Sequence, residues 1–185
     1  ITNGRCLSTN EIVGCETGED FETFEDFYAA FEKQWLYIWK RAKGIIENWE
    51  LYFAEFSPSN MFSGTMTDSL EQGVDGYARG MKYNTTVYTV AGLGTLVDSL
   101  CAIEKYVFDK KEVSLEEFVD ILKNNWSSNE RLRKLVLNDK DKYGNGSDLA
   151  DGLMVRLTDF FAKSITKIVD FLINPIFMLH VSLKL

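Results

Sequence analysis

Gly80-Met81-Lys82-Tyr83-Asn84-Thr85-Thr86-Val87-Tyr88-Thr89-Val90-Ala91-Gly92-Leu93-Gly94-Thr95-Leu96-Val97-Asp98-Ser99-Leu100-Cys101-Ala102-Ile103-Glu104-Lys105-Tyr106-Val107-Phe108-Asp109 is the stretch on which the fold turns. It reads as a glycine turn, a β-branched strand from Asn84 to Val90, a Gly-x-Gly turn and an amphipathic helix opening near Thr95 and running to about residue 108. Strand, tight turn, helix is the half-unit from which α/β sheets and barrels are built.

Upstream, the Gly-, Asn-, Thr- and Ser-rich residues 1–20 show no helical period and read as an irregular loop or short hairpin. From Thr23 onward Phe24, Phe27, Tyr28, Phe31, Trp35, Ile38, Trp39, Ala42, Ile45, Ile46 and Trp49 recur at threes and fours. This predicts a long aromatic helix with a core-facing stripe, capped by Thr23 and Asp26, breakable near Gly44 and ended by Ser57-Pro58-Ser59-Asn60. Thr65 to Gln72 predicts a short helix closed by Gly73 or Gly76. Downstream, Ser114-Leu115-Glu116-Glu117 is a capping box for a helix to Trp126, a further helix spans about Asn129 to Asn138, and Asp148 caps a final one carrying Leu149, Leu153, Val155, Leu157, Phe160 and Phe161. Helix dominates, with one or two strands.

The 185 residues suffice for one domain with a real core, and a net charge of −8 without clustered Lys or Arg argues against nucleic acid. Three cysteines, Cys6, Cys15 and Cys101, show no C-x-x-C spacing, which suggests a reducing, cytoplasmic setting. The single histidine, His180, lies in the tail, so no His-dependent triad or histidine-rich metal site is expected in the body. The opening at Ile1 reads as a start inside a longer protein. The apolar tail from Thr166 is interrupted by Asp170, Asn174 and Pro175, so no membrane anchor is expected.

Several groups invite a chemical reading. Gly92-Leu93-Gly94 has the form of a phosphate-binding turn, but the third glycine and the downstream acid are missing, and a plain strand-to-helix connection is preferred. Asp139-Lys140-Asp141-Lys142 reads as a solvated charged turn, since the further acids of a calcium loop are absent. Cys101 reads as a buried apolar thiol, and Trp35, Trp39 and Trp49 as core.

An ordered set of short matches resembles the glycyl radical enzymes, the superfamily of pyruvate formate-lyase (formate acetyltransferase). It comprises Asn3-Gly4-Arg5, Val13-Gly14-Cys15-Glu16-Thr17-Gly18-Glu19, Phe21 to Phe31 with Gln34, and Ser63-Gly64-Thr65. It continues through Asp68, Glu71-Gln72-Gly73, the stretch 80–108, Leu115-Glu116-Glu117, and Lys142-Tyr143-Gly144-Asn145 with Asp148 and Ala150-Asp151. The order holds over about residues 3–165. The resemblance implies a segment of a ten-stranded α/β barrel over 1–165, followed by an apolar tail, 166–185, that departs from the family.

It also implies anaerobic radical chemistry of the lyase, dehydratase or acetyltransferase kind. In such an enzyme a glycyl radical, installed by a separate S-adenosylmethionine-dependent activating enzyme, generates a thiyl that attacks a buried substrate. The family's two radical elements are a Gly-Cys-x-Glu loop and an Arg-Val-Ser-Gly-Tyr loop, and neither occurs in this sequence. Gly14-Cys15-Glu16 is the tempting substitute. Cys15 is rejected as the thiyl because Glu16 is adjacent rather than two residues on, so the two side chains would diverge from a turn instead of converging on a substrate.

Tyr83, Asn84 and Tyr88 are candidates for lining the substrate cavity, because a barrel strand points alternate residues inward. Asp98 is a fourth, weighed against a preferred role as an early-turn aspartate satisfying helix amides. No cofactor or metal is expected on the chain itself. The implied partners are the remainder of the barrel and the activating enzyme, with a homodimer of the full enzyme among the implied assemblies.

The reading is therefore an internal piece of barrel wall, catalytically silent alone. A rival from another class is a helical interaction module using its aromatic stripe. For the first, we expect no glycyl doublet in the electron paramagnetic resonance spectrum when this polypeptide alone is incubated with an activating enzyme; appearance of the doublet would refute it.

Overall fold

The computed structural model describes residues 3–6, 8–18, 20–83, 88–169 and 179–182. Within them run α1 (Phe24–Phe56), α2 (Asn60–Ser63), α3 (Thr67–Gln72), a 3₁₀ turn (Gly76–Ala78), β1 (Tyr88–Ala91), α4 (Leu93–Ile103) continued by a π-helical turn (Glu104–Asp109), α5 (Leu115–Lys123), α6 (Glu130–Leu137), α7 (Asp148–Val169) and β2 (Leu179–Ser182). The chain is mainly helical, and its two strands pair in parallel from Tyr88 with Leu179 to Ala91 with Ser182. Parallel neighbours require a long crossover, supplied here by α4 to α7.

The strand, turn and helix expected at 84–108 are present. Residues 84–87 lie outside the described set, and the described strand begins at Tyr88. Gly92 takes the left-handed conformation (φ +83°) that lets the chain leave β1 and enter α4 at once. The helix consequently starts at Leu93 rather than near Thr95. Leu93, Val97, Leu100 and Cys101 are all nearly or completely buried, which makes α4 the centre of the core.

Two helices close over it. On α7, Ala150, Leu153, Met154, Leu157, Phe161 and Ile165 are buried, whereas Val155, grouped with them from the sequence, points to solvent because it falls off their face at 100° per residue. Ser147, not Asp148, caps this helix: its Oγ accepts from the Ala150 amide at 3.4 Å. The first half of α1 packs Phe24 and Phe27 against Phe108, both with ring centroids 6.1 Å apart, and stacks Trp35 on Phe161 at 4.5 Å. Thr23 caps α1 as expected, accepting from the Asp26 amide and donating to its carboxylate at 2.6 Å. Gly44 does not break it; α1 continues unbroken to Phe56. Trp35 and Trp39 lie against or in the core, but Trp49 is exposed, because the body of the fold ends before α1 does.

Burial sorts the residues of α7 energetically. Leu157→Ala should lower unfolding free energy by about 2–5 kcal/mol. Val155→Ala, at an exposed site, should stay within about 0.5 kcal/mol. Urea denaturation followed by circular dichroism measures both, and equal effects would contradict this packing.

Candidate functional site

The most developed polar constellation lies where the loop 138–147 crosses the end of α4. The π-helical turn widens the helix so that two successive residues, Lys105 and Tyr106, both engage this loop. Lys105 Nζ donates to Asp139 Oδ1 at 2.7 Å and to Asp141 Oδ2 at 2.5 Å. Tyr106 Oη donates to the other Asp139 oxygen at 2.6 Å. Asp139 Oδ1 also accepts from the Asp141 amide at 3.1 Å, and Ser147 Oγ donates to Asp141 at 3.0 Å. The segment read as a solvated charged turn is thus a clamp. No local pattern announces this, since its partners lie 33 to 36 residues away.

Burial alone would raise the Asp139 carboxyl, but hydrogen bonds from Lys105 and Tyr106 outweigh it and hold the group down at about 2. Burial and the bond to Asp139 push the Tyr106 phenol up to about 12. Lys105 is likewise raised by its two carboxylates, despite the opposing effect of burial. The amine is therefore held protonated and the phenol neutral. Neither is poised as a nucleophile or base at neutral pH, so this geometry is that of a scaffold. An open cleft of about 840 Å³ runs beside the clamp, lined among others by Arg131, Lys134 and Leu135.

Asp98 anchors the same loop from the other side. Its Oδ1 accepts from the Tyr143 amide at 2.8 Å, a bond to a distant loop rather than to the amides of its own helix. The Tyr143 ring lies against Gly94, where an added Cβ would stand 3.8 Å from Cδ1. Of the other cavity candidates, Tyr83 is largely exposed, with the Lys82 ammonium 5.4 Å from its ring centroid. Asn84 lies outside the described residues, and Tyr88 opens β1 opposite Leu179. The side chain of Tyr88, like Asn84, lies outside the described residues. Cys101 is buried, and desolvation pushes its thiol up to about 11.

The opening loop is organised by Gln34 on α1. Its Oε1 accepts from the Cys15 amide at 3.1 Å, and its Nε2 donates to the Cys15 carbonyl and to Thr17 Oγ1 at 3.3 Å. Glycine suits position 14, because a Cβ there would meet the Gly4 Cα at 2.8 Å and crowd the Gln34 carboxamide. The Cys15 thiol faces the Lys33 carbonyl at 3.8 Å, and Glu16 is exposed. Cys6 contacts Ser8 Oγ at 3.1 Å; hydrogen bonds from Ser8 and Thr9 lower its thiol to about 6. Among the described residues no group of His, Cys, Asp and Glu could hold a metal ion, and no helix is long and apolar enough to cross a membrane.

The clamp has a pH signature. Asp139 is depressed in the folded chain, so its stabilisation of about 2 kcal/mol is full above pH 4 and lost as pH falls towards 2. Tyr106 is raised, so its contribution is present below pH 10 and lost as pH rises towards 12. In Asp139→Asn, urea stability measured from pH 2 to 7 should lose most of that acid-side dependence; an unchanged profile would remove Asp139 from the clamp.

Comparison with known proteins agrees with the geometry. A family model described as Pyruvate formate lyase-like matches residues 1–176. Trans-4-hydroxy-L-proline dehydratase from Clostridioides difficile is 33% identical over 171 residues, covering 90% of this chain and 21% of the relative. The crystal structure of hydroxyproline dehydratase from that organism, with trans-4-hydroxy-L-proline bound, superposes with a TM-score of 0.81 at 32% identity, over 88% of this chain and 21% of that one. A glycyl radical enzyme from Archaeoglobus fulgidus gives 0.77 at 27% identity, over 88% and 21%. The chain thus spans about a fifth of the length of these relatives. With residues 1–176 matched and the strand, turn and helix in place, the chain belongs to the pyruvate formate lyase-like family of the glycyl radical enzyme superfamily.

Proposed function

We propose that this chain forms part of the barrel wall of an anaerobic, cytoplasmic glycyl radical enzyme of the dehydratase type, and that alone it is catalytically silent. The observation that carries the reading is the superposition on hydroxyproline dehydratase: nearly all of this chain corresponds to a fifth of that enzyme. The sequence contains neither Gly-Cys-x-Glu nor Arg-Val-Ser-Gly-Tyr, so the radical glycine and the thiyl cysteine would come from other parts of the catalytic unit. A separate activating enzyme would install the radical. A dehydratase is favoured over a formate acetyltransferase because the relative with 33% identity is named for dehydration of a hydroxylated amino acid.

In this role β1 and the turn at Gly92 are the parts that face the chemistry, with Tyr83, Asn84 and Tyr88 as the cavity-lining candidates. Asp98 is engaged with Tyr143 and acts by holding the loop 138–147. The clamp at Lys105 then stiffens the wall behind the strand.

A segment exchange tests it. The matching region of the hydroxyproline dehydratase is replaced by residues 3–169 of this chain, and the chimera is treated with the dehydratase's activating enzyme. We expect a glycyl doublet by electron paramagnetic resonance and measurable dehydration of trans-4-hydroxy-L-proline. A folded chimera that takes up no radical would overturn the assignment.

A further inference from the structure

α1 is 33 residues long, about 50 Å at 1.5 Å per residue, and the body of the fold lies under only its first half. Phe24, Phe27 and Tyr28, near the start of the helix, are buried. Beyond them the apolar stripe does not stop. Ile38, Ile45, Trp49, Tyr52 and Phe56 follow at intervals of seven, four, three and four, which places them within about 60° of one another on the helix surface. They continue the side of α1 that faces the core, and the ring contacts given for them are to their own helix, Trp49 with Phe53 and Tyr52 with Phe56; Ile45 is 70% exposed, Trp49 64%, Tyr52 60% and Phe56 81%.

One flank of this seam is already supported. Phe53 meets Tyr77 edge to face at 5.4 Å, and Tyr77 stacks on Phe62 at 5.7 Å, so α2 and the 3₁₀ turn brace the distal half of α1 from the side. The brace positions the seam and leaves it open. Five large apolar side chains aligned on a braced helix form a contiguous patch, and such patches mark surfaces that another polypeptide covers.

The length of the relatives says what that polypeptide is. A chain that superposes on hydroxyproline dehydratase over 88% of itself, and on 21% of that enzyme, leaves four-fifths of such an enzyme unrepresented. We propose that the seam Ile38, Ile45, Trp49, Tyr52 and Phe56 is the docking face for the remainder of a glycyl radical enzyme barrel, which lays an apolar surface along the distal half of α1. This rests on the barrel-wall reading above and adds which face of the chain is buried. The heptad step from Ile38 to Ile45 to Tyr52 suits a helix packed nearly parallel or antiparallel to α1.

The test compares one double substitution, Trp49→Lys with Phe56→Lys, in two settings. In the free 185-residue chain both side chains project from an exposed helix face and lose only ring contacts with Phe53 and Tyr52 on the same helix, so the chain should stay folded with its helix content unchanged. In the chimera carrying residues 3–169 within hydroxyproline dehydratase, the two lysines would be buried without partners, and soluble folded protein should be lost. Tolerance of the pair in the chimera overturns the proposal. So does self-association of the free chain that the pair abolishes while the chimera is unaffected, since the occupant would then be a second copy. If the unsubstituted chimera does not fold, it is the barrel-wall reading that fails. The seam is then tested in the intact dehydratase, with lysine at the two positions aligned with Trp49 and Phe56: loss of folded enzyme supports it, and an unchanged melting temperature overturns it.

Discussion

The burial of α4 is the constraint on which the remaining elements depend. An α-helix that hides Leu93, Val97, Leu100, Cys101, Ala102 and Ile103 cannot sit at a surface, so α1 must cover it from one side and α7 from another. Each fully buried aliphatic side chain contributes roughly 1.5–3 kcal/mol to holding the three helices together. Polar ties then select one arrangement. Arg156 on α7 makes a two-pronged contact with Glu25 on α1 at 2.8 and 2.7 Å while its guanidinium lies 3.7 Å from the centre of the Tyr28 ring. Such a pairing fixes rotation and slide, which apolar contact alone leaves loose.

What could be read directly from the amino acids was whatever is written in short range. The caps at Thr23 and Ser114, the αL glycine at Gly73, the strand-to-helix turn at Gly92 and the buried thiol of Cys101 all follow from residues within a few positions of each other. The clamp was not legible, because the meaning of Asp139 and Asp141 depends on Lys105 and Tyr106, and nothing in the intervening residues signals that they meet. The same reason underlies Asp98, whose amide partner is 45 residues distant. Trp49 illustrates the opposite error. Periodicity reports that a helix face is apolar, not whether the covering surface is present.

Family membership and structure therefore divide the work between them. Membership places the chain among its relatives, whereas the geometry consists of a braced helix, a short parallel ladder and a loop tied down at both ends. The loop 138–147 is held by an ion pair, a phenol and a helix carboxylate together, so it has several independent restraints against opening.

The π-helical turn at Glu104–Asp109 also constrains which changes the chain can accept. Such a turn holds one residue more than regular α geometry accommodates over the same rise, and it is equivalent to a single-codon insertion absorbed without breaking the helix. Excising one residue there would restore an uninterrupted α-helix and swing every later side chain by about 100°. Lys105 and Tyr106 could then no longer both face Asp139. The widened turn and the loop it holds are therefore coupled, and a deletion in the one would undo the other.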